Sequence, residues 1–287
     1  MPYVTHLMIV TCIYSMLAVS LDLVVGLAGL LSLAHAVFFG IGAYATALLT
    51  RAEMSPMLAM IIGVGVAAVS SSLIALPSIR IRGIYLLIVT IAVQAVFTVV
   101  LLNLSDLTGG PAGVGNVPPI KLAGRALTPP EFLLLSVSVA GGALLLGLAV
   151  SRSAFGILLQ AVRDDEVGAL ALGKDVNWAK IRVFALSGAM ASVAGSLYAH
   201  YASYVDPRGF DILVSISVLL MVMLGGAGTI YGPVLGAVIV TLLPEALRFI
   251  PAPPGSTGAA RQLVYGLLLI AIVFLRPQGL FGKKQHR

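Results

Sequence analysis

Long apolar runs, broken by short polar or glycine- and proline-bearing stretches, occupy residues 7–27, 30–50, 57–76, 84–102, 132–150, 181–203, 211–226, 232–250 and 262–275. A bilayer core needs roughly 20 apolar residues per helix, so this pattern predicts an all-α polytopic membrane protein with about nine transmembrane helices, or about eight to ten if runs fuse or split. The first run has no lysine or arginine before it and no small-residue cleavage site, which predicts a retained helix rather than a cleaved signal peptide. Two connecting segments exceed a tight turn. Residues 103–131, NLSDLTGGPAGVGNVPPIKLAGRALTPPE, are rich in glycine and proline and predict a structured loop, whereas residues 151–181 predict helix. Nothing divides the chain further, so residues 1–287 are expected to form a single transmembrane domain.

Small residues recur at helical spacing in two runs. Ala28, Ser32, Ala36 and Gly40 predict a small-sided face on the second helix. Ser187, Ala191, Gly195, Ala199 and Ser203 form one row of the sixth, with Gly188, Ser192, Ser196 and His200 beside it. Such rows let helix backbones approach closely; a wall of a polar translocation cavity is the second reading. FFGIGAY (38–44), with Gly40 and Gly42, is expected to interrupt the second span, and LGGAGTIYGPVLGA (224–237), with Gly225 and Gly226, to separate the seventh from the eighth. Interrupted helices expose backbone groups and half-helix ends that can meet a substrate. Tight-turn chemistry explains the second stretch equally well.

Composition agrees with a membrane chain: 59% hydrophobic, 10% charged, mean hydropathy +1.07. One soluble core cannot bury so much apolar surface. The single cysteine, Cys12, lies in the first run, so an intrachain disulfide is excluded. A net charge of +6 fits the positive-inside rule better than nucleic-acid binding. With a cytoplasmic C-terminus and an outside N-terminus, the inner side receives Arg80, Arg82, Arg152, Arg163, Lys174, Lys180, Arg182, Arg276, Lys283, Lys284 and Arg287. The outer side receives Arg51, Lys121, Arg125, Arg208, Arg248 and Arg261, which makes the division 11 against 6.

The inner segment holds a charged island, AVRDDEVGALALGKD (161–175). Its GALALGKD falls one residue short of a phosphate loop, but Asp175 replaces the magnesium-ligating Ser or Thr, Gly168 and Gly173 are the only glycines, and the acids upstream repel a polyphosphate. A short cytoplasmic helix over 164–173, about 13 Å long, fits better. Asp164, Asp165 and Glu166 favour its start, Val167, Leu170 and Ala171 share a face, and Gly173 with Lys174 ends it. Such a helix needs support from its own bundle or a partner; a solvated topology loop is the alternative.

Ionisable residues inside the membrane are costly and point to function. Asp22 and His35 fall at similar depth on adjacent antiparallel spans and are expected to pair, and His200 and Gln94 are the other intramembrane polar groups of note. The histidines are either satisfied structural groups or part of a transport path. No nucleophile–base–acid set, metal-ligand spacing or carboxylate pair occurs, and no span carries an acid relay. Neither an enzyme active site nor a metal or cofactor site is therefore expected in this chain.

Four stretches together resemble the permease subunits of bacterial branched-chain amino acid ABC transporters: GLAGLLSLAHAVFFGIGAYATALL (26–49), LTGGPAGV (107–114), AVRDDEVGALALGKDVNWAKIRVFALSGAMASVAGSLYAH (161–200) and MVMLGGAGTIYGPVLGA (221–237). The likeness is greatest to the permease type with a glycine-rich outer loop; Asp22, Ala34 and Ala112 depart from the family pattern. The resemblance implies an importer in the bacterial inner membrane, with a second homologous permease, two cytoplasmic ABC ATPases and a periplasmic substrate-binding protein as partners. It makes Arg163, Asp164, Asp165, Glu166, Ala169, Leu170 and Gly173 the ATPase-coupling candidates, and Thr108, Gly109, Gly110 and Gly113 the outer-loop candidates. Ser32, His35, Gly40, Gly42, Ser192, Ser196, His200, Gly225 and Gly226 are the substrate-path candidates. Branched-chain or related amino acids are the implied cargo. Urea or short-chain amides on the same scaffold are the alternative, and an ion-coupled secondary transporter is the rival from another class.

Overall fold

The structure, a computed structural model, describes residues 2–79, 81, 83–122, 124–248, 266–267 and 279–280. The predicted span 262–275 lies outside the described residues apart from Gly266 and Leu267, as do Arg80, Arg82, Arg261, Arg276, Lys283, Lys284 and Arg287.

The chain opens with α1 (Pro2–Asp22), which closes in a widened π-type turn over Leu23–Leu27. Gly29 then takes a left-handed φ of 69° and stops the helix. The backbone stays non-helical until α2 (His35–Arg51). Two expectations are corrected here. FFGIGAY does not interrupt a helix, since α2 runs through it; the break lies earlier, at 28–34. Ala28 and Ser32 sit in that break, so they do not share a helix face with Ala36 and Gly40.

Ser55 caps α3 (Pro56–Ala75) at the Leu58 amide, with Pro56 in the first turn where its missing N–H costs nothing. A 3-10 turn (Leu76–Ile79) leads to α4 (Ile84–Asn103). The 103–131 segment holds α5 (Ser105–Thr108), a 3-10 turn at Gly110–Ala112, and three short strands: β1 (Val114–Gly115), β2 (Lys121–Leu122) and β3 (Arg125–Ala126). β2 and β3 pair with each other. Next come α6 (Pro129–Arg152), α7 (Ala154–Asp164), α8 (Glu166–Ala171) and α9 (Val176–Ala202). β4 (Tyr204–Val205) pairs antiparallel with β1, and a 3-10 turn (Pro207–Phe210) precedes α10 (Ile212–Gly225) and α11 (Tyr231–Arg248). The expected break at 224–237 is present, because α10 ends at Gly225 and α11 starts at Tyr231.

Five described helical stretches are long and apolar enough to cross a membrane: Tyr3–Leu27, Pro56–Ile79, Ile84–Asn103, Pro129–Arg152 and Val176–Ala202. The first and last are 72% and 61% buried, against 22%, 22% and 17% for the other three, which places α1 and α9 at the centre. α3, α4 and α6 turn Ile61, Val69, Ile88, Val99, Leu134 and Leu145 outward, as helices facing lipid do. This is an all-α polytopic membrane protein.

The small rows of α9 are packing surfaces. A Cβ on Gly42 would strike the Ser192 carbonyl, and one on Gly195 would strike the Phe39 carbonyl, so α2 and α9 meet backbone to backbone. Gly188 makes room on the α3 side, where the Ser71 side chain stands 2.5 Å from its Cβ position and the Ala67 carbonyl 3.1 Å. Ser203 leaves the row: it takes φ 54° and ends α9.

Candidate functional site

Gln94 lies halfway along α4 and hence near the middle of the bilayer core. Its Nε2 donates to the Phe210 carbonyl at 2.7 Å, and its Oε1 accepts from Ser215 Oγ at 3.4 Å. Ser215 in turn accepts from the Ala36 amide at 2.9 Å, and Thr90 accepts from the Leu33 amide at 3.0 Å. Ser32 Oγ accepts from the Ala34 amide at 3.3 Å. The break at 28–34 and the start of α10 therefore meet at mid-depth, both helix starts reaching the level of α4's centre. An amide left without a partner in this apolar interior would cost several kcal/mol, roughly, so the hydroxyls of Thr90 and Ser215 are what make the breaks tenable.

Aromatic rings line the other side of this cluster. The Phe210 ring lies 5.0 Å from Phe39 in a tilted pair and 5.8 Å from Tyr44 edge to face. Gly40 admits them: a Cβ there would stand 2.7 Å from Phe97 and 3.1 Å from Phe210. The arrangement brings two helix starts, that of α10 capped by Asp211 at the Leu213 and Val214 amides, and a set of buried hydroxyl and amide groups beside an aromatic wall. Sequence reasoning names Ser32, Gly40 and Gln94 but misses Thr90, Ser215, Phe39, Phe97 and Phe210. The legible signal is a hydroxyl or amide within an otherwise apolar run.

The expected Asp22–His35 pair is not formed. His35 Nε2 shares a 2.7 Å hydrogen bond with Ser20, whereas Asp22 Oδ1 accepts from the Gly228 amide at 2.7 Å. The re-entry of 28–34 is the reason: it starts α2 deeper than a tight turn would, opposite Ser20. Ser196 accepts from Thr46 at 2.8 Å and donates to the Ser192 carbonyl at 3.1 Å, within the α2–α9 contact. His200 shares a 2.8 Å hydrogen bond with the Pro118 carbonyl and lines a cavity of about 360 Å³ with His6, Phe132 and Tyr201, away from the mid-depth cluster. Gly225 packs against the Gly232 backbone, and Gly226 (φ 111°) ends α10.

At the 151–181 end, Asp165 caps α8 by accepting from Val167 and Gly168 at 3.1 and 3.0 Å. Gly173 (φ 72°) closes it, with its amide on Leu170 O and that of Lys174 on Ala169 O. The helix is six residues, roughly 9 Å, shorter than expected. Asp164 closes α7 instead of opening α8, because Asp165 takes the extended conformation of a cap between them. Ala169 is buried against Val162 and Val176, while Val167, Leu170, Leu172 and Trp178 are exposed, the last beneath the Arg182 guanidinium at 5.6 Å. Glu166 binds buried Lys180 at 2.7 Å, and Lys180 also donates to Ser78 O at 2.9 Å, so this lysine is no surface charge. Arg163 turns inward, its Nη1 on the Gly26 carbonyl at 2.7 Å.

At the opposite end, Thr108 donates to Leu101 O at 2.6 Å and Leu104 O at 2.9 Å and accepts from Gly110 N at 3.3 Å. Gly109, Gly110 and Gly113 all take positive φ, and a Cβ on Gly113 would strike the Val205 carbonyl. Tyr204 donates to Ala112 O at 2.6 Å. The 103–131 loop is thus laced to residues 203–206, which lead directly to Phe210 at mid-depth. Among the described residues no group of three or more His, Cys, Asp or Glu could hold a metal ion.

The profile of the family described as branched-chain amino acid transport system / permease component matches residues 3–273. This chain belongs to that family. The permease is 31% identical to the high-affinity branched-chain amino acid transport system permease protein LivM of Escherichia coli, over 94% of this chain and 68% of the relative. It is 26% identical to the probable branched-chain amino acid transport permease protein LivM of Methanocaldococcus jannaschii, over 79% and 68%. The autoinducer 2 import system permease protein LsrC of Klebsiella pneumoniae is 30% identical over 52% of this chain and 42% of its own. No solved structure matches. Family membership makes the permease a component of a transport system.

Proposed function

We propose that this permease is the membrane subunit of a bacterial inner-membrane importer for branched-chain or related amino acids. It works by alternating access with a second homologous permease, two cytoplasmic ABC ATPases that hydrolyse the ATP, and a periplasmic binding protein that delivers the cargo. The chain forms one transmembrane domain of about nine helices, with its N-terminus outside and the 151–181 segment and C-terminus in the cytoplasm. Asp164, Asp165 and the exposed Val167, Leu170, Leu172 and Trp178 form the ATPase seat, and the loop around Thr108, Gly109, Gly110 and Gly113 receives the binding protein. The carrying observation is the meeting of two broken helices at Ser32, Gln94 and Ser215, where polar groups adjoin the Phe39–Phe97–Phe210 wall. In this reading the wall takes the cargo's apolar side chain once alternating access opens the buried cluster.

The test is reconstitution in liposomes with the co-purified partners and a panel of leucine, valine, urea and acetamide. ATP-dependent, binding-protein-dependent leucine uptake is expected. Uptake of urea or acetamide alone would move the cargo to the amide class, and uptake by the permease alone under a sodium or proton gradient would overturn the importer reading. Because Cys12 is the chain's single cysteine, a Cys12→Ser background with a cysteine at Asp106 or Leu172 fixes the orientation by impermeant labelling from either side.

A further inference from the structure

Two peptide segments that are remote in sequence touch just inside the 151–181 end: the close of α1 at Gly26 and the turn after α10 at Gly228. A Cβ on Gly26 would strike both the Gly228 amide and the Asp22 carboxylate, so the two backbones lie in contact. Each is held by one charged side chain. Asp22, fully buried, accepts from the Gly228 amide at 2.7 Å. Arg163 donates to the Gly26 carbonyl at 2.7 Å, its Nη1 lies 2.9 Å from where a Gly228 Cβ would stand, and its Cγ lies 2.5 Å from where a Gly29 Cβ would stand. Glycine at 26, 29 and 228 leaves the room that these two side chains occupy.

Arg163 belongs to α7 and is separated by two residues from the first residue of α8. From Gly29 the chain passes straight into the break at 28–34, whose Leu33 amide sits on Thr90; from Gly228 it passes back through α10 to Ser215 and Gln94. The clamp therefore joins the segment proposed to seat the ATPase to both mid-depth breaks at once. We infer that Arg163, with Asp22 as its counterpart on Gly228, is the positioning residue that transmits ATPase-driven movement of α7 and α8 to the substrate path, rather than a contact to the ATPase itself. The inference rests on the importer reading above. A charge-assisted hydrogen bond to a backbone carbonyl suits such transmission, being strong, directional and lost if the donor moves by an ångström or so. Arg163 Nε also pairs with Asp164 Oδ1 at 3.1 Å, which ties it to the end of α7, and Asp22 Oδ2 is buried and without a partner among the described residues.

The test measures leucine imported per ATP hydrolysed by the full reconstituted complex, together with recovery of the ATPase subunits with the permease. Arg163→Ala should leave assembly and hydrolysis within about twofold and lower uptake per ATP by about tenfold, the scale of one hydrogen bond to a charged group. Arg163→Lys, which keeps the charge and one donor, should recover most of the ratio; Asp22→Leu should lower it and Asp22→Asn, which keeps the acceptor, should not. An unchanged ratio in Arg163→Ala overturns the inference, and so does loss of the ATPase subunits from an otherwise folded permease, which would make Arg163 a docking contact. If Arg163→Ala does not insert, Asp22→Leu against Asp22→Asn decides on the same ratio, equal values overturning it. A wild-type complex that hydrolyses ATP without importing leucine would sink the importer reading instead.

Discussion

Adding one methyl group at Gly42 tests the claim that α2 and α9 are locked backbone to backbone. The new Cβ would stand 2.1 Å from the Ser192 carbonyl oxygen, and ordinary contact begins at 3.4 Å, so the helices must part by about 1.3 Å at this point. The same substitution at Gly195 meets Phe39 C at 3.0 Å and its carbonyl oxygen closer still. Separation of this size forfeits roughly half or more of the dispersion attraction between the facing atoms. It also strains the Thr46–Ser196 hydrogen bond, which bridges the same two helices at 2.8 Å. Overpacking of this kind costs about 1–3 kcal/mol. At about 2–4 °C per kcal/mol for a chain of this size, the detergent-solubilised protein should melt roughly 2–12 °C lower. Gly65→Ala is the control, because nothing lies within 4 Å of its Cβ and alanine is the better helix former. Scanning fluorimetry on the three variants decides the matter. Gly42→Ala and Gly195→Ala as stable as Gly65→Ala would show that the helices are not in contact there.

Removing Lys180 as Met should destabilise the protein by losing both its ion pair with Glu166 and its hydrogen bond to Ser78 O; the double variant with Glu166→Leu should lose less than the sum of the singles, and additive losses in a melt would refute the coupling. Thr90→Val orphans the Leu33 amide and should cost about 1–3 kcal/mol, whereas Thr90→Ser should be close to wild type; equal melting of both would mean the amide finds another partner. Gly173→Val, at a φ of 72°, should weaken ATPase recovery while Gly173→Asn is tolerated; equal pull-down yields would count against a fixed end to α8. Ala169→Trp should unfold the 151–181 segment of the permease itself, since Ala169 packs on Val162 and Val176; protease resistance of that segment in the isolated variant would contradict this.

Much of this architecture is written in apolar periodicity, since a membrane interior rewards little else. The long spans, the break at Gly225–Gly226 and the helical nature of 151–181 all follow from run length, glycine and charge. The first break does not. FFGIGAY is richer in punctuation than residues 28–34, yet Gly40 and Gly42 are helical residues shaved to fit Phe97, Phe210 and Ser192, and the single positive φ at Gly29 ends the helix. Glycine supplies both room and turn, and only the neighbours tell which. The mid-depth cluster is half visible in the chain: Gln94 and Ser32 stand out as polar residues in apolar runs, but Thr90 and Ser215 act on amides that nothing in the sequence marks as free. Asp22 and His35 agree in depth only if the 28–34 stretch is helix, which it is not. The acidic island is legible as a capped helix ending near Gly173, but its first residue is not, because Asp164 and Asp165 are equally good caps on paper.

The helix α10 is 14 residues, roughly 21 Å of stiff rod, and it constrains what can be measured at its two ends. Its first turn is tied through Phe210 and residues 203–206 to the 103–131 loop, and its last turn leads to Gly228 and the α7 clamp. A rod shared by two ends cannot answer one of them alone. If ATP in the motor subunits alters how tightly the outer loop holds a docked binding protein by some factor, that protein must alter the affinity for ATP by the same factor, because binding free energies around a closed cycle sum to zero. Nucleotide affinity titrated with and without binding protein, and binding-protein affinity titrated with and without nucleotide, should therefore yield one coupling constant. In Arg163→Ala both determinations should drop together toward one.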